Sequence, residues 1–307
     1  MGSASRVTRR VSPLVLLWVF ASCARGSAPV APTPQLALTP IDSFVGAGAS
    51  GVLVGAGDIG FCGTLGAEGT ARLLDRFPGT VFTAGDNAYV SGTREEFQNC
   101  YGPGWGRHLA RTRPAVGNHD YINGGAAYFQ YFGSSAGSAG SGYYSYAVGP
   151  WNVIALNSEI PSGSGSAQME WLRNELMTKR PACTAVYWHR PLFSSGRHGD
   201  NPDMRDVWRT LYDFDVDLVI GGHDHAYERF APQDPDGRFD PTRGIREFVV
   251  GTGGAPLYEF PNIRPNSEVR GAAWGVLALT LSAGRYQWQF VPVDGQTFSD
   301  AGSGSCH

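Results

Sequence analysis

Five times along this chain an apolar run stops and delivers residues that bind metals. Residues 52–55 lead to Gly57-Asp58-Ile59-Gly60, and 80–84 to Gly85-Asp86-Asn87-Ala88-Tyr89. Residues 112–116 lead to Gly117-Asn118-His119-Asp120, 185–188 to His189, and 214–220 to Gly221-Gly222-His223-Asp224-His225. Runs this short, bounded by glycine and rich in β-branched and aromatic residues, read as buried strands. Any one ending, taken singly, is an ordinary turn, a helix cap or a core histidine. Taken together they demand a fold that brings several strand ends to one edge. α/β architectures do this at the carboxyl ends of their strands.

The remaining pattern supplies the other layers. Helices are expected over residues 66–77, 95–101, 168–178 and 204–212, and a hairpin over 143–148 and 151–156 around Gly149-Pro150. The tail segments 246–250, 274–281 and 286–293 alternate with period two, which implies a second, mostly antiparallel sheet. Early strand–helix alternation followed by late antiparallel strands predicts an α/β (α+β) fold. The expected form is a four-layer αββα sandwich of two mixed sheets flanked by helices, with the ligands at the strand C-terminal edges. Residues 298–307 are expected to close the second sheet through a disulfide, and His307 to stand apart from the metals.

The N-terminus reads as a targeting segment. Arg6, Arg9 and Arg10 come before an apolar stretch at 11–21 that is shorter than the roughly 20 residues a bilayer requires. Phe20-Ala21-Ser22-Cys23 resembles a lipoprotein processing box with Cys23 as the lipidated residue; ordinary secretion with cleavage near Gly26 is the alternative. The expected organisation is a signal peptide over 1–23, a Pro/Ala-rich tether over 24–47 and a catalytic domain over 48–307. The expected location is the cell envelope, as a bacterial-type lipoprotein, or the secreted or periplasmic space. Any membrane contact would run through the N-terminal lipid. The other cysteines, Cys62, Cys100, Cys183 and Cys306, allow three pairings, and export favours disulfides over thiols. Cys62–Cys100 with Cys183–Cys306 is the pairing expected. Lysine occurs only at Lys179 and no basic stripe is present, so the chain lacks the electrostatic footprint of a nucleic-acid binder.

Carboxylates, imidazoles and an amide oxygen are hard-to-borderline donors suited to iron, manganese or zinc. The order and spacing of the five clusters resemble the calcineurin-like metallophosphoesterase superfamily, whose motifs run D-x-[HG], GDxx[DY], GNH[DE], a lone His and GHxH. Gly60, where many relatives carry a histidine, and Tyr89, three residues after Asp86, point within it to small, single-domain members of the purple acid phosphatase branch. That resemblance implies two metal ions sharing Asp86. Asp58, Asp86, Tyr89 and His225 would hold ferric iron. Asp86, Asn118, His189 and His223 would hold divalent iron, zinc or manganese.

The resemblance also implies exported hydrolysis of small phosphomonoesters by metal-bound hydroxide. His119, held by Asp120, would give a proton to the departing alkoxide, and His198 would be a second substrate-facing histidine. Arg229 is read as a structural ion pair or a phosphate contact. Arg190 and Arg197 are weaker phosphate candidates, and Tyr121 and Tyr128 belong to the pocket wall or the core. A phosphodiesterase for nucleotides or lipid headgroups is the alternative on the same scaffold. A non-catalytic surface module is a further one, disfavoured because no ligand position is lost.

Overall fold

A computed structural model describes residues 50–307, together with Met1 and Gly2. The signal segment, Cys23 and the tether lie outside the described residues, and no described helix is long and apolar enough to cross a membrane. In chain order the elements begin with β1 (Gly51–Ala56), α1 (Gly66–Asp75), β2 (Thr80–Ala84), α2 (Arg94–Glu96), β3 (Thr112–Ala115) and α3 (Ala126–Phe132). They continue with β4 (Tyr144–Val148), β5 (Trp151–Ala155), α4 (Ala167–Lys179), β6 (Thr184–Tyr187), α5 (Arg205–Asp213), β7 (Leu218–Gly221) and β8 (Tyr227–Phe230). The last are β9 (Arg246–Val250), β10 (Ser267–Gly271), β11 (Gly275–Ser282), β12 (Arg285–Pro292) and β13 (Asp300–Ser305).

The strands form two mixed sheets flanked by helices, as the pattern predicts. One has the order β13-β12-β11-β1-β2-β3, the other β10-β8-β9-β7-β6-β5-β4. Period-two alternation explains why the second sheet needs cover on both faces. Val153, Ala155, Ala185, Tyr187, Leu218 and Ile220 join the larger core, shared with the first sheet. Their neighbours Ile154, Val186, Trp188 and Val219 pack instead with Met169, Leu172 and Leu176 of α4 and Val207, Trp208 and Leu211 of α5. Two of the helices start where the chain provides side-chain caps. Ser166 accepts the Met169 N–H at the start of α4, and Thr93 with Glu96 makes a reciprocal capping box at α2.

The tail departs from expectation. The late strands do not form a sheet of their own. β11 pairs antiparallel with β1, so β11, β12 and β13 extend the first sheet, whereas β9 lies between β7 and β8 in the second. The physical reason is burial. Most of β11 is inaccessible to solvent, which requires neighbours on both edges and both faces. Both expected disulfides are present, Cys62–Cys100 and Cys183–Cys306. The second joins the two sheets instead of closing one, because Cys183 leads into β6 while Cys306 follows β13. Three short elements escape the sequence reading: α3, β8 and β10.

Candidate metal centre

Parallel pairing of β1, β2 and β3 in one sheet, and of β5, β6 and β7 in the other, points the ends of all these strands to one edge. The loops there are tied to one another by backbone bonds. Asp58 N–H donates to Gly85 O (3.0 Å), Ile59 N–H to Asp86 O (2.9 Å) and Gly222 N–H to His189 O (2.9 Å). Across the sheets, His223 N–H donates to Asp58 Oδ2 at 2.8 Å. Three of the expected ligands, Asp58, Asp86 and His223, sit at positive φ (61°, 50° and 70°). Such conformations are uncommon for residues with a side chain, and they gather at functional sites. Gly117 is required for close approach, since a Cβ there would stand 2.2 Å from Asp86 Oδ1.

Seven expected ligand side chains meet in two overlapping groups. In one, Tyr89 Oη lies 2.6 Å from Asp58 Oδ1, 2.9 Å from Asp86 Oδ2 and 3.0 Å from His225 Nε2. In the other, His189 Nε2 lies 3.2 Å from Asp86 Oδ2, 3.0 Å from Asn118 Oδ1 and 3.1 Å from His223 Nδ1. Asp86 belongs to both. Ligand atoms of Asp86, His189 and His223 all lie within 4.8 Å of one another.

The donor set fits metal ions, and the fit extends to what stands behind it. His189 Nδ1 bonds Ala84 O (2.9 Å), and His225 Nδ1 bonds Pro256 O (2.7 Å). A carbonyl acceptor fixes the proton on Nδ1 and turns the Nε2 lone pair inward, as metal-binding imidazoles require. Ionisation is strongly perturbed. Burial opposes charge on Asp86, yet His189 outweighs it and holds the carboxyl low; the same pairing raises His189 to about 10 despite burial. Burial, then His189 and His198, press His223 far below the usual imidazole range. Burial, then the Asp58 and Asp86 carboxylates, raise the Tyr89 phenol. Two carboxylates facing one phenol proton are a set that a cation would relieve.

His119 stands at the rim, about one-third exposed, with Nδ1 on Val90 O (2.6 Å) and Nε2 3.9 Å from Asp86 Oδ2. Asp120 does not hold it. That carboxylate turns inward, where it accepts the backbone N–H groups of Asn87 (2.9 Å), Ala88 (3.1 Å) and Gly117 (3.0 Å) and the Asn87 side chain (2.8 Å). It therefore braces the loops that carry Asp86 and Asn118. His198 lies over His223, ring centroids 4.1 Å apart. Arg229 is occupied elsewhere, bonded to Asp300 and Glu268. Arg190 pairs with Glu159 at 2.9 Å. Tyr128 is fully buried and Tyr121 packs against the same core.

Two contributors carry no sequence signal of their own. Tyr258 stacks on His225 (4.1 Å, 12°) and donates its N–H to the His225 carbonyl (2.9 Å). Asp224, between the two motif histidines, accepts Ser194 Oγ–H (2.5 Å) and His198 N–H (2.7 Å).

Residues 53–227 match the calcineurin-like phosphoesterase family. The chain belongs to that family. Purple acid phosphatases are among the relatives it resembles. It is 33% identical over 184 residues to an uncharacterised protein of Mycobacterium tuberculosis, covering 46% of this chain and 35% of that one. It is 33% identical over 144 residues to purple acid phosphatase 21 of Arabidopsis thaliana, covering 43% and 32%. It thus spans about a third of the length of these relatives. The purple acid phosphatase PPD1 of yellow lupin (Lupinus luteus) seeds has the same fold, with a TM-score of 0.74 at 22% identity over 84% of this chain and 54% of that one.

Proposed function

We propose that this phosphoesterase is an exported phosphomonoesterase with a binuclear metal centre. The observation that carries this reading is the overlap of the two donor groups at Asp86, backed by imidazoles whose Nδ1 atoms are fixed on backbone carbonyls. Asp58, Asp86, Tyr89 and His225 would hold ferric iron. Asp86, Asn118, His189 and His223 would hold divalent iron, zinc or manganese. Two such ions, when bound, would supply a water ionised near neutral pH and positive charge against the phosphoryl oxygens.

The protein's own groups do the rest. His119, with Nδ1 fixed on Val90 O, gains and loses its proton at Nε2, and that proton goes to the leaving alkoxide. His198, held by Asp224 through its backbone N–H, faces the phosphoryl group beside His223. Two disulfides suit an oxidising compartment and support export. The signal peptide over 1–23, lipidation at Cys23, the tether over 24–47 and a catalytic domain over 48–307 complete the proposal.

The test is a visible absorption spectrum with metal analysis, before and after Tyr89→Phe, alongside phosphate release from p-nitrophenyl phosphate and bis(p-nitrophenyl) phosphate. A visible band that disappears with the phenol, together with preference for the monoester, is expected. A colourless zinc or manganese protein would sink the iron assignment. Preference for the diester would sink the monoesterase assignment.

A further inference from the structure

Arg197 is the arginine that the proposed reaction leaves without a task. It is exposed, and among the described residues its guanidinium has no carboxylate partner. Yet the loop that carries it is firmly placed. Ser194 Oγ–H and His198 N–H are both held by Asp224, and Ser195 N–H is held by Glu228 Oε2 at 2.8 Å. Gly196 packs so closely that a Cβ there would stand 2.3 Å from the Asp224 carboxyl carbon. The guanidinium lies over the ring of Tyr258, 5.4 Å from its centroid. Tyr258 in turn stacks on His225 and lies 5.6 Å from His198. Arg197 is thus an unneutralised cation parked on an aromatic face, one ring removed from the candidate metal ligands. A cation–π contact of this kind orients the guanidinium while leaving its N–H donors free.

We propose that Arg197 is a specificity-determining residue that binds a second anionic group on the substrate, a carboxylate or phosphate attached to the alcohol that leaves. This rests on the phosphomonoesterase reading above. The transferred phosphoryl group already has partners at the donor cluster, with His119 and His198 beside it. Arg197 stands further out, exposed on the far side of the Tyr258 ring from the donor cluster's His225, within reach of a group attached to the ester oxygen rather than of the transferred group. A planar fork of donors suits a carboxylate or a phosphate and offers little to a neutral alkyl or aryl group. The favoured substrate class is therefore small phosphomonoesters that carry a further negative charge near the ester oxygen.

The experiment compares 2-phosphoglycolate with ethyl phosphate, esters of similar size with and without a carboxylate, on the purified metal-containing protein and on Arg197→Gln. The ratio of kcat/KM values, phosphoglycolate over ethyl phosphate, is expected to fall on the order of tenfold, the lower end for a hydrogen bond to a charged group. In parallel, calorimetric binding of pyrophosphate relative to phosphate is expected to weaken by a similar factor. An unchanged ratio, or an equal loss on both members of a pair, overturns the proposal; equal loss would mean that the guanidinium touches the transferred group itself. If only p-nitrophenyl phosphate is turned over by the unmodified protein, the proposed preference for charged esters fails. If neither ester nor p-nitrophenyl phosphate is hydrolysed, the phosphatase reading fails. The binding ratio then decides the role of Arg197 by itself.

Discussion

Asp300 and Asp86 are both buried carboxylates on the first sheet, one opening β13 and the other following β2, and their surroundings differ in kind. Asp300 accepts Arg229 through Nε (2.7 Å) and Nη2 (3.2 Å), Tyr227 Oη–H (2.7 Å) and Trp288 Nε1–H (3.0 Å). The Arg229 guanidinium also lies over the Trp288 ring. With Glu268, which takes both Arg229 and Arg246, charges and neutral donors are matched within one side-chain network. Asp86 instead shares a single phenol with Asp58, accepts the His119 backbone N–H and faces His189, whose Nδ1 is committed to a backbone carbonyl. Buried charge that closes on itself is architecture, because breaking one partner strands the other. Buried charge left open in a strained, glycine-lined cradle is a place prepared for a visitor.

Five substitutions test that contrast. The largest effect is expected of Asp86→Asn, which removes the residue common to both donor groups. Phosphate release should fall on the order of 10³-fold or more, a modest share of the rate acceleration an enzyme provides. Added metal should raise the melting temperature of the unmodified protein and not of the variant, since only a folded state that binds ligand is stabilised by it. The metal-free variant should melt somewhat lower than the metal-free parent at neutral pH, because His189 loses the carboxylate that supports its charge; a metal-induced rise that persists in the variant would break the comparison.

His119→Ala comes next, with turnover down about 10²–10⁴-fold. Metal content should be retained, because the ring stands 3.9 Å from Asp86 at the rim. Loss of metal along with turnover would move His119 into the ligand set.

Asp300→Ala should act on stability instead, by about 3–5 kcal/mol in urea unfolding, with metal content kept. The same carboxylate predicts a pH dependence. Burial alone would raise Asp300, but Arg229, Tyr227 and Trp288 bring it below its usual range. A folded-state value below the unfolded one gives stabilisation that is present above the unfolded value and lost as pH falls through the folded one. Asp300→Asn should therefore flatten the acid limb of the stability curve. An acid limb of unchanged slope would show that the pair contributes little.

The smallest effect is that of Cys306→Ser, about 2–4 kcal/mol from release of a link between positions 123 apart. Activity in the folded protein should be retained, since the bond joins strand ends away from the metal edge.

The division between legible and illegible features follows the same physics. Ligand positions could be read because each needs a particular donor type immediately after an apolar run, a purely local relation that holds at Asp58, Asp86, Asn118, His189 and His223. Sheet membership of the tail could not, because the antiparallel pairing of Gly51 with Leu281 is a contact across most of the chain. Side-chain direction was equally hidden. Asp120 follows His119 and so invites pairing with it, yet the loop turns the carboxylate toward Asn87 and Gly117. Tyr258 belongs to no motif, and only the stacking on His225 reveals it. The sequence leaves Arg229 as an ion pair or a phosphate contact, and its partner Asp300, 71 positions away, decides for the former.

The bond between Cys183 and Cys306 has a mechanical side. Cys183 leads into β6 and His189 follows it, so this one short strand carries a covalent tie at its entry and a candidate ligand at its exit. The two sheets resemble the boards of a book, sewn along the spine by sulfur and open along the fore-edge where Asp58 and Asp86 of one board face His189, His223 and His225 of the other. With metal in the proposed centre, the ions would act as a clasp on that open edge. Reductants would then loosen the spine and chelators the clasp. Treatment with both should open the sandwich more readily than either alone.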